Sequence, residues 1–260
     1  MGTKSYKIED KTYMVNILAT LWFNIKAFGL IKGLRLPVYI YGPVKLRHIG
    51  KIDIKCPVRR ALWVIGLNHR SVVAPFTMFD NQGVIEVYGS VYLNFGSTLS
   101  NHGTIVFEGK NLIGNKTDIH IYQRLEVGCN VSIGFDSRIM DSDMHYVVNV
   151  ESRRVYSNTA PIRIGRYNWF GSNTFIKKGV VTPDYLVVAS PNALLTKDYS
   201  NLPPYTVLAG APAKPISQSI RRVYNFHNEQ QISQFFKENR NASFYQVGDD
   251  AELDEFCGLT

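Results

Sequence analysis

The chain has 260 residues, of which 45% are hydrophobic and 19% are charged, and this balance excludes an intrinsically disordered protein. The 29 basic and 21 acidic residues leave a formal net charge of +8. This excess fits an anionic partner such as a phosphate-bearing cofactor or an anionic membrane surface. The chain has no long Lys/Arg run of the kind that would indicate a nucleic-acid partner.

The cysteines are odd in number and widely separated, and they form no CxxC pair: Cys56, Cys129 and Cys257. This pattern argues against a disulfide framework and predicts a reducing compartment. The early apolar stretch starts late and contains Asn16, Asn24 and Lys26, so it does not resemble a secretory signal. We therefore expect a cytoplasmic location.

Residues 13–32 have the pattern of a helix that is apolar around most of its circumference. Asn16, Thr20 and Asn24 follow at a spacing of four and form a narrow polar stripe. These polar residues and Lys26 argue against a membrane-spanning helix. We expect the helix to pack on the body or on another subunit, with a peripheral contact to the inner face of the membrane as the alternative. Residues 1–50 are predicted to form a helical and extended appendage.

A regular repeat of six residues begins near residue 81, although residues 38–54 could already form a first, irregular coil. The column positions of this ladder, all apolar except Thr182, are Val87, Leu93, Leu99 and Ile105, then Ile121, Val127, Ile133 and Ile139, then Ile164, Phe170, Ile176, Thr182, Val188 and Leu194. In the last segment the positions four residues after a column residue are Asn168, Thr174, Val180, Leu186 and Asn192. Such hexads are typical of a parallel β-helix, in which three short strands make one triangular coil. We predict an all-β solenoid domain over residues 51–216.

The repeat stops over residues 140–161, a polar run that contains Asp141, Asp143, His145, Arg153 and Arg154. Insertions that leave a repeat scaffold and return to it often hold binding and catalytic residues. After a Pro- and Gly-rich loop, residues 217–260 are predicted to form a C-terminal helix and tail.

Three ordered motifs carry a family resemblance: DSDMHYV at 141–147, NWFGSNTFIKKGV at 168–180, and LLTKD at 194–198 followed by AGAPAKPI at 209–216. Together with the hexads, over about residues 81–216, they resemble the left-handed β-helix, hexapeptide-repeat acyltransferases. Within that superfamily the sequence is similar to the O-acetyltransferase branch, which includes galactoside, maltose, serine and capsule-polysaccharide acetyltransferases.

The resemblance implies a homotrimer with active sites between neighbouring subunits, acetyl-coenzyme A as co-substrate and no metal. The histidine at the end of the insertion motif would be the general base, here His145. Asp143 or Asp141 would orient its imidazole. Asp143 lies on the same face as His145 if the segment is a strand, whereas Asp141 competes equally if it is a turn.

The resemblance also implies a coenzyme groove along the later coils, with contacts from Gly171, Ser172, Ala189, Ser190, Thr196, Lys197 and Lys214. Trp169 would line the acceptor pocket. Arg153 is a candidate contact to an acidic sugar, with a solvated loop as the alternative. Two positions depart from the family pattern: Pro191 removes a backbone donor, and Thr182-Pro183 replaces the usual Ile-Gly corner.

The resulting prediction is an acetyl-coenzyme A dependent O-acetyltransferase that acts on a sugar or polysaccharide precursor. Acetylation of serine or another small molecule and a non-catalytic trimeric scaffold are the alternatives. A metal-dependent hydratase on the same scaffold is disfavoured because the histidines of this chain are too widely spaced. The sugar acceptor is preferred because the chain lacks the long helical N-terminal domain typical of serine acetyltransferases, which is an analogy at the level of the fold.

Overall fold

A computed structural model describes residues 15–67, 76–248 and 251–258. The chain divides into two compact units, residues 1–218 and residues 219–260. The first unit is a β-helix with a helix at its N-terminal end. The second contains two helices.

The strands of the β-helix follow one another in groups of three, one strand for each face of the coil. The first coil holds β1 (Val38–Ile40), β2 (Val44–Leu46) and β3 (Lys51–Ile54), and the second holds β4 (Trp63–Leu67), β5 (Thr77–Asn81) and β6 (Val84–Val87). The third holds β7 (Val91–Asn94), β8 (Thr98–Asn101) and β9 (Thr104–Phe107), and the fourth holds β10 (Asn111–Ile113), β11 (Asp118–Ile121) and β12 (Arg124–Val127).

The fifth coil is interrupted by a hairpin. It holds β13 (Ser132–Ile133), β14 (Arg138–Met140), the antiparallel pair β15 (Val148–Asn149) and β16 (Arg154–Val155), and then β17 (Ile162–Ile164). The last coils hold β18 (Trp169–Phe170), β19 (Phe175–Lys177), β20 (Val187–Val188), β21 (Leu194–Leu195), β22 (Val207–Ala209) and the antiparallel β23 (Lys214–Ser217).

Strands from successive coils pair in parallel and build three faces. The first face runs β1-β4-β7-β10-β13-β18-β20-β22 and ends with β23, the second runs β2-β5-β8-β11-β14-β19-β21, and the third runs β3-β6-β9-β12-β17. The later coils continue the third face through the bridges Arg163↔Val181 and Val181↔Asp198. The predicted parallel β-helix is therefore present. Its strands begin at Val38, so residues 38–54 are its first coil.

The apolar columns of the hexads form the core. Leu99, Ile139 and Ile176, which lie on the second face, are each 0% exposed. The predicted column is wrong at its last position, because Leu195 and not Leu194 is fully buried and pairs with Ile176. The turn between β20 and β21 contains one residue more than a regular hexad. The small buried position accordingly moves from Asn192, which is exposed, to Ala193.

The N-terminal helix α1 (Ile17–Gly33) begins after Asn16, whose side-chain oxygen accepts a hydrogen bond from the Ala19 N–H at 3.1 Å. It overlaps the stretch predicted as a helix, residues 13–32, and ends one residue beyond it, whereas positions 13 and 14 are outside the described residues. Gly29, with a φ of 73°, breaks the regular helical geometry. No helix in residues 15–67, 76–248 and 251–258 is long and apolar enough to cross a membrane.

The polar stripe of α1 faces the β-helix and not the solvent. Asn24 donates to the Val38 carbonyl at 2.7 Å and accepts from the Val38 N–H at 3.0 Å, while the Thr20 hydroxyl accepts from the Ile40 N–H at 3.1 Å. Phe23 packs edge-on against Phe79 with 5.3 Å between ring centroids. Because β1 is the first strand of its sheet, these side chains satisfy an edge that would otherwise lack partners.

The second unit contains α2 (Phe226–Glu238) and α3 (Leu253–Cys257). The predicted helix of this region began near residue 217, whereas α2 begins after Asn225, which caps it by accepting from the His227 and Asn228 N–H groups. The Tyr224 N–H donates to the Cys257 carbonyl at 2.8 Å and joins the two ends of the unit.

Candidate active site

The insertion between β14 and β17 leaves the β-helix through a closed neck. The Ala160 N–H donates to the Asp141 carbonyl at 3.0 Å, and the Asp143 N–H donates to the Asn158 carbonyl at 2.8 Å. An antiparallel bridge between Ser142 and Thr159 lies between these bonds. We call residues 141–160 the arm. Its two ends are held together before the chain turns outward.

His145 lies where the neck opens. Its N–H donates to the Asp143 carbonyl at 2.7 Å, and the preceding Met144 adopts a φ of 65° and donates its N–H to the Ser142 hydroxyl at 3.0 Å. These two bonds fix a tight turn around the Asp143–His145 segment. The imidazole is exposed, so it can reach a group that approaches from solvent.

Asp143 holds the arm against the second face. Its carboxylate lies 2.8 Å from Lys178 Nζ and 3.3 Å from Lys177 Nζ. Lys178 Nζ also donates to the Ser157 carbonyl at 2.8 Å and so contacts both sides of the neck. The hydrogen bond from Lys178, supported by that from Lys177, lowers the pKa of the Asp143 carboxyl below its ordinary value. Asp143 is therefore ionised at neutral pH.

Asp141 is fully buried and binds backbone, not the histidine. Its carboxylate accepts hydrogen bonds from the N–H groups of Tyr122, Gln123 and Arg124 at 2.8, 2.7 and 2.9 Å. These amides form the corner between β11 and β12, one coil below the arm. Asp141 therefore fixes the start of the arm to the neighbouring coil.

Gly171 and Ser172 stack on Ala189 and Ser190 at the corner that follows the first face. A Cβ at Gly171 would lie 2.6 Å from that of Ser190, so only glycine allows this close stacking. The N–H groups of Gly171 and Ala189 donate to the next coil, at 2.8 Å each, and are used in stacking. The Ser190 hydroxyl donates to the Ser172 carbonyl at 3.1 Å.

The remaining predicted coenzyme residues are exposed on the last coils. Thr196 and Lys197 directly follow β21, which pairs with β19, the strand whose Lys177 contacts the arm. Lys197 Nζ lies 5.5 Å from the ring centroid of Tyr199. Lys214 begins β23 and lies opposite Ala209. Thr196-Lys197 thus lie at the same corner of the β-helix as the arm, between the second and third faces.

Within one chain, Trp169 and Arg153 lie on different elements of the structure. Trp169 lies on β18 of the first face and is 41% exposed, whereas the arm leaves between the second and third faces. Arg153, with a φ of 55°, lies in the exposed turn at the far end of the arm hairpin.

Sequence reasoning missed Lys177 and Lys178, which sit in the motif that resembled a coenzyme segment. It also missed a groove of about 660 Å³ on the third face, where Arg163 and Arg124 both contact Glu126, at 2.7 and 2.6 Å. Burial opposes ionisation of Glu126, but hydrogen bonds from the two arginines hold the pKa of its carboxyl below its ordinary value. The alternation of arginine and glutamate along β12 was the available signal. Among the described residues, no group of three or more His, Cys, Asp or Glu side chains is placed to hold a metal.

No protein-family model and no curated protein matches this chain. Solved structures do match it. The polysialic-acid-specific acetyltransferase NeuO is 21% identical over 82% of this chain and 82% of that chain, with a TM-score of 0.42. The polysialic acid O-acetyltransferase OatWY is 20% identical over 76% of this chain and 85% of that chain, with a TM-score of 0.38. A mutant of AntD, an N-acyltransferase from Bacillus cereus in complex with dTDP and coenzyme A, is 14% identical over 75% of this chain and 89% of that chain, with a TM-score of 0.39.

Proposed function

We propose that this protein is an acetyl-coenzyme A dependent O-acetyltransferase that modifies a hydroxyl of a sugar or polysaccharide precursor. The observation that carries the proposal is His145, an exposed imidazole at the mouth of an arm whose neck is closed by backbone bonds and by Lys178. Such a rigid base outside the β-helix suits proton transfer to or from a bound substrate.

The acceptor hydroxyl is a weak nucleophile at neutral pH, so it needs a base. His145 takes the hydroxyl proton as the oxygen attacks the acyl carbon of the thioester, and it then gives the proton to the leaving sulfur. Histidine suits both steps because its ordinary pKa lies near neutral pH. Asp143 acts indirectly, since its ion pairs with Lys177 and Lys178 position the segment that carries the base.

The coenzyme would lie along the last coils. Because the N–H groups of Gly171 and Ala189 already bind the next coil, we assign contacts with the pantetheine part of the coenzyme to the side chains of Ser172 and Ser190. Thr196 and Lys197 would contact the phosphates together with Lys214, since lysine acts on a mobile phosphate as a point charge.

We further propose a left-handed coil, as in the family that the sequence resembles, and a homotrimer with its active sites between subunits. The separation of Trp169 and the arm on different faces of one chain supports a site made from two chains. In that arrangement Trp169 of one subunit would line the acceptor pocket beside the arm of its neighbour. We propose a cytoplasmic location.

The test is thiol release from acetyl-coenzyme A in the presence of free sugars, nucleotide sugars and serine. His145→Ala should lower kcat by about 10²- to 10⁴-fold. His227→Ala, an exposed histidine of the second unit, is the matched control and should retain full activity. Turnover with serine alone would contradict the sugar assignment, and the absence of thiol release with every acceptor would favour a non-catalytic scaffold.

A further inference from the structure

Helix α1 exposes an apolar face to solvent. Its exposed large side chains are Ile17, Leu18, Leu21, Trp22, Ile25, Leu30 and Ile31, followed by Leu34 just after the helix. Leu18 and Ile31 are 81% and 83% exposed, which is far from the buried state that such residues usually adopt. Leu18, Leu21, Trp22 and Ile25 recur at helical spacing and so form one continuous surface. Contiguous apolar patches of this kind mark contact sites.

The docking of α1 explains why this face points outward. Asn24 and Thr20 use their polar groups on the edge of β1, and Phe23 closes the end of the core. A helix that only covered the end of the β-helix would bury its apolar residues there and present its polar stripe to water. In α1 the polar stripe faces the β-helix and the large apolar side chains face outward. We infer that these apolar side chains make a contact other than the one with the β-helix.

The segment that carries the exposed face is basic, and the nearby carboxylates of Asp53 and Asp80 pair with Lys51 and His48. Residues 15–52 contain no acidic residue, whereas the basic residues are Lys26, Lys32, Arg35, Lys45, Arg47 and Lys51. Trp22 and Lys26 line a groove of about 430 Å³ together with Arg47 and His48, so cations border the apolar surface directly. Apart from Lys51, which pairs with Asp53, none of these basic residues forms an ion pair with a residue that the structure describes.

We propose that α1 lies in the interfacial layer of an anionic lipid bilayer, with Leu18, Leu21, Trp22 and Ile25 among the acyl chains and the flanking cations on lipid phosphates. Apolar area and electrostatic attraction to anionic lipids together determine the binding of such helices. Each Lys or Arg close to an anionic surface adds about a fivefold gain in partitioning. This contact is independent of the proposed acetyl transfer.

A second copy of the chain is the competing occupant. Face-to-face packing of two α1 helices would bring Lys26 and Lys32 of both copies together. Another surface of a second copy would have to supply carboxylates, and a chain with 29 basic and 21 acidic residues repels a second copy of itself overall. The charges therefore favour lipid phosphates over a copy of this protein.

The experiment is flotation of the full chain with vesicles of phosphatidylcholine, alone or mixed with phosphatidylglycerol. The wild-type protein should float with the mixed vesicles, and added salt should weaken this binding because it screens the lipid charge. Leu18→Glu/Trp22→Glu should lower partitioning more than tenfold, and Lys26→Gln/Lys32→Gln should lower it about 25-fold on mixed vesicles only. Phe244→Glu, at a side chain 68% exposed in the second unit, is the matched control and should bind as wild type.

The variants change outward side chains, so thermal unfolding should match wild type; if the double glutamate variant does not fold, Leu18→Ser replaces it. Equal binding to neutral and mixed vesicles, or binding that is unchanged in the variants, would overturn the proposal. It would also be overturned if the variants reduced the sedimentation coefficient but left vesicle binding unchanged, because α1 would then join copies of the chain.

Discussion

Lys178 is the side chain that ties the arm to the β-helix most completely. Its ammonium group contacts Asp143 on one side of the neck and the Ser157 carbonyl on the other, both at 2.8 Å. The neighbouring Lys177 reaches Asp143 alone, at 3.3 Å, and is more exposed. Exposed ion pairs add little to global stability, so the main effect of this pair is on the position of His145.

We predict that Lys178→Met lowers kcat about tenfold or more and leaves the thermal unfolding midpoint nearly unchanged, because a small displacement of a catalytic base is costly to rate. Lys177→Met should have a clearly smaller effect on kcat. Steady-state kinetics with separate kcat and KM values test this. An equal rise in KM for both variants at constant kcat would show that these lysines bind substrate and do not position the arm.

Asp141 differs from Asp143 in both burial and partners, which the sequence did not distinguish. The spacing of the motif placed both carboxylates next to His145, and that proximity along the chain is real. The amides that bind Asp141 belong to a corner about twenty residues earlier, and only the stacking of coils brings them there. A local motif carries no information on such partners.

We predict that Asp141→Asn lowers the free energy of unfolding by about 1–3 kcal/mol, because the amide loses the charge and turns a donor toward N–H groups. Asp136→Asn is the matched control: Asp136 is exposed, and asparagine tolerates its φ of 55°. The control should change stability by less than about 0.5 kcal/mol. Denaturant unfolding gives both values, and an unchanged stability with loss of kcat would return Asp141 to the catalytic set.

At the scale of elements, the hexads predicted the coils where every turn has the regular length. The period counts residues, so it cannot register an extra residue that a turn absorbs, and the ladder slipped by one between β20 and β21. The hydrophobic pattern also did not predict which side of α1 packs on the β-helix. The sequence showed the polar stripe of Asn24 and Thr20 but not the direction in which it points, because a sequence does not show that β1 offers an unpaired edge.

The slip predicts a difference between two adjacent leucines. Leu195→Ala should cost about 2–5 kcal/mol of the free energy of unfolding, since it leaves a cavity in a fully buried column. Leu194→Ala removes the same atoms from a half-buried side chain and should cost clearly less. The pair is measured by denaturant unfolding under one set of conditions. The reverse order would restore the uninterrupted hexad register.

At the scale of the molecule, the residues of the proposed site lie on different parts of the β-helix. The arm that carries His145 leaves the β-helix between the second and third faces. Trp169 lies on the first face, and Lys214 lies at the end of the same sheet as Trp169. A closed ring of heterologous contacts repeats one interface between each pair of neighbours, so it can join the arm of one subunit to a different face of the next.

This arrangement predicts complementation between two impaired variants. His145→Ala lacks the base and Lys197→Glu/Lys214→Glu lacks the phosphate contacts, so each alone should be strongly impaired when acetyl-coenzyme A is below saturation. If the base and the phosphate contacts come from different subunits, unfolding and refolding the two together in equal amounts should restore about one quarter of wild-type activity, because a quarter of the interfaces then combine two intact halves. Mixing the folded variants without subunit exchange is the control and should stay impaired. If each site were built within one chain, the refolded mixture would also stay impaired, because no chain in it carries both intact sets of residues.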